Sequence, residues 1–207
     1  MPDDIPPPRS VLTWPTVLTL ARIAAVPALV AAMLLWPGAV GRWLALAIFV
    51  GAALTDWLDG YLARALDQQS RLGAMLDPIA DKLIVAAALV MLVAEAIVGD
   101  VHVVPVIAIL TREILVSGVR EVLAADGVGL PVSRLAKWKT AAQMAAIALL
   151  LAPFPASADH VADPHRAGLV LLWLAAALTV QTGASYLTTA VRHAMRGPGE
   201  RNPDRTP

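Results

Sequence analysis

Residues 40–82 read VGRWLALAIFVGAALTDWLDGYLARALDQQSRLGAMLDPIADK, and this stretch decides the fold class. An apolar run long enough to cross a bilayer ends in acidic residues, and the next apolar run begins with them. The four acids are Asp56, Asp59, Asp77 and Asp81. Ionisable groups in membrane helices are costly and usually functional. The stretch therefore predicts two membrane helices whose adjoining ends form a polar site.

The composition of the whole chain supports a membrane protein. Of its 207 residues 58% are hydrophobic and 15% charged, mean hydropathy is +0.68, and cysteine is absent. Soluble domains carry about a quarter charged residues. These values exclude disorder, a disulfide scaffold, a cysteine zinc site and a thiol enzyme. The 16 basic and 16 acidic residues balance, so nucleic acid is not an expected partner.

Six apolar runs near membrane length predict an all-α integral membrane fold with six transmembrane helices. Turn residues rich in glycine and proline separate them. We expect one catalytic domain over 1–207, with loose tails at about 1–10 and 197–207. The runs cover residues 16–36, 40–66, 78–98, 102–125, 135–153 and 167–191.

The basic residues predict the orientation of these helices. With six spans, ten lysines and arginines lie on the side of both termini, whereas only Arg42 and Arg166 lie on the other side. Positive residues favour the cytoplasmic side. We therefore expect both termini and the acidic site to face the cytoplasm.

The acidic residues lie on helix faces that can come together, and this placement predicts a metal site. Asp56 and Asp59 share one helix face, and Asp77 and Asp81 lie one turn apart on the next helix. A short reversal near residues 67–71 would join the two faces. Four close carboxylates repel each other unless positive charge is present. Hard divalent cations, one or two of them, satisfy such an oxygen-rich pocket.

Three further residues on the first face suit a diphosphate. Gly60 and Ala63 are small enough to let a ligand approach the helix backbone, and Arg64 supplies a fork for a phosphate. In the alternative interpretation, intramembrane acids only hold helices together or carry protons. That interpretation explains a single aspartate better than it explains this set.

The spacing Asp56-x2-Asp59-Gly60-x2-Ala63-Arg64-x8-Gly73-x3-Asp77-x3-Asp81 resembles the signature of the CDP-alcohol phosphatidyltransferase family. The resemblance implies six transmembrane helices and a cytoplasmic site. It implies that the four aspartates bind a pair of Mg²⁺ or Mn²⁺ ions, with Asp81 also the general base. It implies that CDP-diacylglycerol is held by a further set, namely Gly60, Ala63, Arg64, Gly73 and Thr19.

The flanking segments resemble the bacterial phosphatidylglycerophosphate synthases of that family, from about residue 13 to residue 194. Thr13 stands where asparagine is common, and Ala136 where glycine is common. The resemblance implies an enzyme of the bacterial inner membrane, surrounded by lipid. It leaves a homodimer open.

Cations in the fourth and fifth runs predict an anionic acceptor. Arg112 and Arg120 are two turns apart on one face, and Glu113 and Glu121 repeat the same offset and are suited to hold them. Lys137 and Lys139 enter the fifth helix from the same side. We assign these four cations to glycerol 3-phosphate, although the lysines also suit lipid headgroups.

The expected reaction is transfer of the phosphatidyl group to glycerol 3-phosphate, with release of CMP by direct displacement. Inositol phosphate or phosphatidylglycerol is the alternative acceptor. A divalent-cation transporter is the alternative from another class, but transporters often show repeated halves, and no repeat is visible here.

Two residues are left with open roles. Arg22 either extends to the interface or pairs with Glu121 or an acid of the cluster. Tyr186, in the last run, either faces the site or only packs.

Overall fold

The computed structural model describes residues 14–66, 71–125, 134–154 and 163–195. Within these ranges the chain is helical, with a short 3-10 turn at Asp100–His102. The helices are α1 Trp14–Leu35, α2 Ala39–Leu66, α3 Arg71–Ala94, α4 Val103–Ala125, α5 Arg134–Leu151 and α6 Pro164–Met195. They correspond to the six predicted apolar runs.

Four stretches in the described ranges are long and apolar enough to cross a membrane: Thr16–Leu35, Ala39–Asp56, Asp100–Ala124 and Pro164–Thr188. These stretches are typical of a membrane protein. Helices α3 and α5 are long enough but carry more charge. Any 18-residue window of either helix contains at least three charged residues, and these lie in the first half of the helix.

The chain divides into two compact units. The first contains the described parts of Met1–Ile97 and Ile147–Pro164, that is α1 to α3 and the last turn of α5. In this unit α1 packs along both α2 and α3, whereas the described residues of α2 and α3 make few direct contacts with each other. Helix α1 therefore provides most of the described packing between its two neighbours.

The buried stripe of α1 changes character along the helix. Its first half buries Thr16, Thr19 and Arg22, and its second half buries apolar residues such as Leu29 and Met33. These positions recur every three or four residues, which is the spacing of one helix face. The polar half lies at the end of α1 that the sequence assigns to the cytoplasm.

The second unit contains the described parts of Val98–Ala146 and His165–Pro207. Two of its helices show the same change along their buried stripes. On α5, Lys139 and Gln143 are followed by Ala146, and on α6, Leu172 and Ala175 are followed by threonines and a tyrosine. The buried residues of α4, in contrast, are apolar from Val106 to Leu123.

The turn between α1 and α2 depends on two glycines. Gly38 adopts φ +84°, a left-handed conformation that other residues rarely take. At Gly41 an added Cβ would lie 1.9 Å from the carbonyl oxygen of Trp36, so only glycine allows this close approach. The predicted break at Trp36-Pro37-Gly38 is confirmed.

Arg42 caps the end of another helix. Its Nη2 donates hydrogen bonds to the carbonyl oxygens of Leu150 and Ala152, both at 2.9 Å, and its Nε donates to that of Leu151 at 3.2 Å. The last carbonyls of a helix lack partners in their own helix. This explains why an arginine occurs on the side that the sequence predicts to be poor in positive charge.

We expect Arg42→Ala to lower the free energy of unfolding by about 2–3 kcal/mol, because three carbonyl groups lose a charged donor. Thermal unfolding in detergent, followed by circular dichroism, measures this. Arg42→Lys keeps the positive charge but loses the forked guanidinium. Its melting temperature should therefore fall between those of the original chain and Arg42→Ala. An unchanged melting temperature for Arg42→Ala would contradict the capping role.

Candidate active site

Arg22 joins two of the predicted metal ligands. Its Nη1 donates a hydrogen bond to Oδ1 of Asp77 at 2.7 Å, and its Nη2 lies 3.1 Å from Oδ1 of Asp56. The three residues come from α1, α3 and α2 respectively. Of the alternatives left open for Arg22, the structure selects pairing with the acidic cluster.

The burial of these three side chains differs sharply. The Arg22 side chain is 1% exposed, whereas those of Asp56 and Asp77 are 43% and 46% exposed. A guanidinium stays charged at any physiological pH, so its burial requires anionic partners. The carboxylates therefore lie between the buried cation and the exterior of the unit.

Other predicted site residues lie near this ion pair along the chain. Asp81 is exposed, one turn after Asp77 on α3, and Thr19 is buried on α1, one turn before Arg22. Helices α2 and α3 contain the backbone of a further set whose side chains lie outside the described residues. That set is Asp59, Gly60, Ala63, Arg64 and Gly73.

The donor set suits a hard divalent cation. Asp56 and Asp77 provide carboxylate oxygens, the ligands that Mg²⁺ and Mn²⁺ prefer. Among the described side chains no group of three or more acids, histidines or cysteines lies close enough to hold an ion. Asp59, the next acid along α2, is not among the described side chains. The described pair therefore fits part of a carboxylate site.

A second cluster, in the other unit, is built around Glu113. Its Oε1 accepts from Arg112 Nη1 at 3.2 Å and forms an ion pair with Lys139 Nζ. The side chains of Arg112, Glu113 and Lys139 are 13%, 17% and 8% exposed. Two cations thus share one partly buried carboxylate, and these three side chains together carry more positive than negative charge.

Helix α6 supports the arginines of this cluster. Arg112 Nη2 donates to Thr182 Oγ1 at 3.2 Å, and the guanidinium carbons of Arg112 and Arg120 lie 5.8 Å and 5.6 Å from the ring centre of Tyr186. An added Cβ at Gly183 would lie 3.0 Å from Arg112 Cγ. The small residue lets the arginine chain lie against α6.

The structure separates residues that the sequence analysis grouped together. Lys137 is exposed, whereas Lys139 is buried, because two residues along a helix correspond to about 200°. Glu113 pairs with Arg112, but Glu121 is exposed and makes no ion pair with Arg120 in the described part of the chain.

Thr182 and Gly183 were not identified from sequence, and Tyr186 was left open. Their signal is the spacing Thr182-Gly183-x2-Tyr186 in the second half of α6. Three buried polar atoms of this unit have no hydrogen-bond partner among the described residues: Arg112 Nε, Gln143 Oε1 and Thr179 Oγ1.

Comparison with known proteins agrees with the sequence signature. The profile of the CDP-alcohol phosphatidyltransferase family matches residues 12–181. A CDP-diacylglycerol–glycerol-3-phosphate 3-phosphatidyltransferase of Cereibacter sphaeroides is 39% identical, covering 87% of this chain and 97% of that protein. One of the same name from Rickettsia bellii is 41% identical, covering 86% and 96%. A CMP-forming cardiolipin synthase of Oryza sativa is 42% identical, covering 88% of this chain but 58% of that protein.

We expect Glu113→Gln to lower the free energy of unfolding by about 2–4 kcal/mol, because two cations then lose their buried counter-charge. Glu121→Gln, an exposed position on the same helix, is the matched control and should leave stability unchanged. Thermal unfolding of both variants in detergent tests this. Equal melting temperatures for the two variants would contradict the role of Glu113.

Proposed function

Because the chain belongs to the CDP-alcohol phosphatidyltransferase family, we propose that it transfers the phosphatidyl group of CDP-diacylglycerol to glycerol 3-phosphate. The products are phosphatidylglycerophosphate and CMP. The observation that carries the choice of acceptor is the cation cluster around Glu113, which suits a substrate with its own phosphate. The names of the relatives from Cereibacter sphaeroides and Rickettsia bellii agree with this acceptor.

The aspartates serve the donor in this proposal. Asp56, Asp59, Asp77 and Asp81 hold one or two Mg²⁺ or Mn²⁺ ions, and the pairing of Asp56 and Asp77 with one arginine supports their joint role. The ions would neutralise charge on the diphosphate as the bond to CMP breaks. Gly60, Ala63, Arg64, Gly73 and Thr19 contact the CDP portion.

The chemical step is a direct displacement. A primary hydroxyl oxygen of glycerol 3-phosphate bonds to the phosphorus of the phosphatidyl group, and the phosphorus–oxygen bond to CMP breaks. Asp81 accepts the hydroxyl proton, and its exposure on α3 supports that role. CMP leaves as a phosphate anion and needs no proton.

The acceptor is bound by Arg112, Arg120, Lys137 and Lys139. Arg112 and Arg120 flank the ring of Tyr186, and this common support gives them a fixed relation to each other. Lys139 is buried beside Glu113, so a phosphate there gains a desolvated contact. Lys137 is exposed and contributes less.

Phosphatidylglycerol is the second candidate acceptor, because the rice relative is named a cardiolipin synthase. This substrate carries one negative charge on a phosphodiester, whereas glycerol 3-phosphate carries nearly two on a monoester. The buried excess of positive charge around Glu113 favours the monoester.

We also propose that all six helices cross the bacterial inner membrane, with both termini in the cytoplasm. Buried polar residues lie in the first half of α1, near the start and middle of α5, and from the middle of α6 onward. In each of these helices they lie toward the end that the positive-inside pattern assigns to the cytoplasm, which supports this orientation.

Asp56→Asn, Asp59→Asn and Asp77→Asn should each abolish transfer, because a neutral amide is a poor ligand for a hard cation. Asp81→Asn should reduce kcat more than donor binding, since the proton loses its acceptor. Purified variants in detergent are assayed for CMP release from CDP-diacylglycerol with and without chelator. Activity like that of the original chain in any two of the first three variants would refute the metal assignment.

Arg112→Ala and Arg120→Ala should raise KM for glycerol 3-phosphate about ten- to a hundredfold, because a charge-assisted contact to phosphate is worth about 1.5–3 kcal/mol. KM for CDP-diacylglycerol should change little, and Arg→Lys should restore only part of the loss. Lys139→Ala should have a larger effect than Lys137→Ala, its exposed neighbour. Initial rates with each substrate varied separately measure this. An equal rise in KM for both substrates would contradict the acceptor role.

The same assay with phosphatidylglycerol in place of glycerol 3-phosphate distinguishes the two acceptors. We expect CMP release with glycerol 3-phosphate and little with phosphatidylglycerol. A faster reaction with phosphatidylglycerol would favour the cardiolipin reaction instead.

A further inference from the structure

We propose that Arg22 is a positioning residue, which holds Asp56 and Asp77 at the separation and orientation that a divalent cation requires. The inference rests on the proposed metal role of these aspartates. It adds a residue from α1, outside the stretch of α2 and α3 that contains the signature.

The first support is the geometry of the contacts. Two terminal nitrogens of one planar guanidinium reach carboxylates on two different helices, at 2.7 Å and 3.1 Å. The contact to Asp77 is a hydrogen bond from Nη1, whereas the contact of Nη2 to Asp56 is an ion pair without hydrogen-bond geometry. Because one rigid guanidinium contacts both carboxylates, it limits how far apart they lie.

The second support is the packing of the helices. Within the described residues, α2 and α3 make few contacts with each other, and each packs mainly on α1. The described packing therefore connects the two aspartate-bearing helices mainly through α1. Arg22 supplies this connection at the level of the aspartates.

The third support is burial. With 1% of its side chain exposed, Arg22 is enclosed by the unit, whereas both aspartates are nearly half exposed. A charged group in this position cannot turn to solvent without unpacking α1. The arginine is therefore a fixed reference point, and the exposed parts of the carboxylates remain open to an ion.

Two effects of opposite sign act on metal affinity. A nearby positive charge repels a divalent cation and weakens its binding, whereas fixed ligands strengthen it. Outer-shell partners of metal ligands typically contribute 10- to 100-fold in affinity. Positioning predicts that loss of Arg22 weakens metal binding, and repulsion alone predicts the reverse. The sign of the change therefore decides between them.

The test measures Mn²⁺ binding to the full chain in detergent, from the loss of the free-ion signal in electron paramagnetic resonance. Arg22→Met is expected to raise the Kd for Mn²⁺ at least tenfold. Arg22→Lys should raise it several-fold, since an ammonium does not fork to two carboxylates. Lys82→Met is the matched control. It removes one positive charge from α3, directly after Asp81, and should leave the Kd for Mn²⁺ within about twofold of that of the original chain.

A second readout separates positioning from general damage to the fold. In the transferase assay, Arg22→Lys should raise the Mn²⁺ concentration needed for half-maximal rate, while kcat at saturating Mn²⁺ largely recovers. If Arg22→Met fails to give a monodisperse protein, Arg22→Lys decides the question alone.

The inference is overturned if Arg22→Lys binds Mn²⁺ as tightly as the original chain, or if Arg22→Met binds it more tightly. Asp77→Asn separates this from failure of the proposed function. If Asp77→Asn binds Mn²⁺ like the original chain, the metal role of the aspartates is wrong. If Asp77→Asn loses binding while both Arg22 variants keep it, only the role of Arg22 is wrong.

Discussion

A buried charge in an apolar helix must find a partner, and this constraint underlies the first unit. The Arg22 guanidinium is enclosed on α1, so its burial requires carboxylate partners from other helices. Asp56 and Asp77 provide these partners from two helices that make few contacts with each other within the described residues. The same contact that makes the burial of the arginine tolerable also brings together two residues of the signature. Stability and site assembly therefore depend on one interaction.

The second unit follows the same rule with the signs reversed. There the group at the centre is a partly buried carboxylate, Glu113, and the cations Arg112 and Lys139 contact it from two helices. These three side chains leave a net positive charge, and Arg112 and Arg120 both lie near the ring of Tyr186, which does not neutralise them. The cations of this cluster are held in place before any substrate binds. Binding of an anion therefore requires little rearrangement of their side chains.

Polar residues grouped along one part of α1, α5 and α6 reconcile these clusters with a membrane. In each of these three helices the apolar part of the buried stripe packs the unit, and the polar part lies at a charged cluster. Helices α3 and α5 show the consequence of this division, because each carries at least three charged residues in its first half. Arg42 lies outside these clusters, but its guanidinium also has polar partners, since it donates hydrogen bonds to three carbonyl oxygens at the end of α5.

The sequence by itself determined the helical class, the break at Trp36-Pro37-Gly38 and the family, because apolar length, turn residues and motif spacing are properties of the chain order. It also predicted that Arg112 and Arg120 share a face, since helical period alone determines that. Only the tertiary structure decided that Arg22 pairs with Asp56 and Asp77, that Lys139 is buried while Lys137 is exposed, and that Thr182 and Tyr186 support the arginines. Each of these depends on which helix lies opposite a given face, and the period of one helix carries no information about its neighbour.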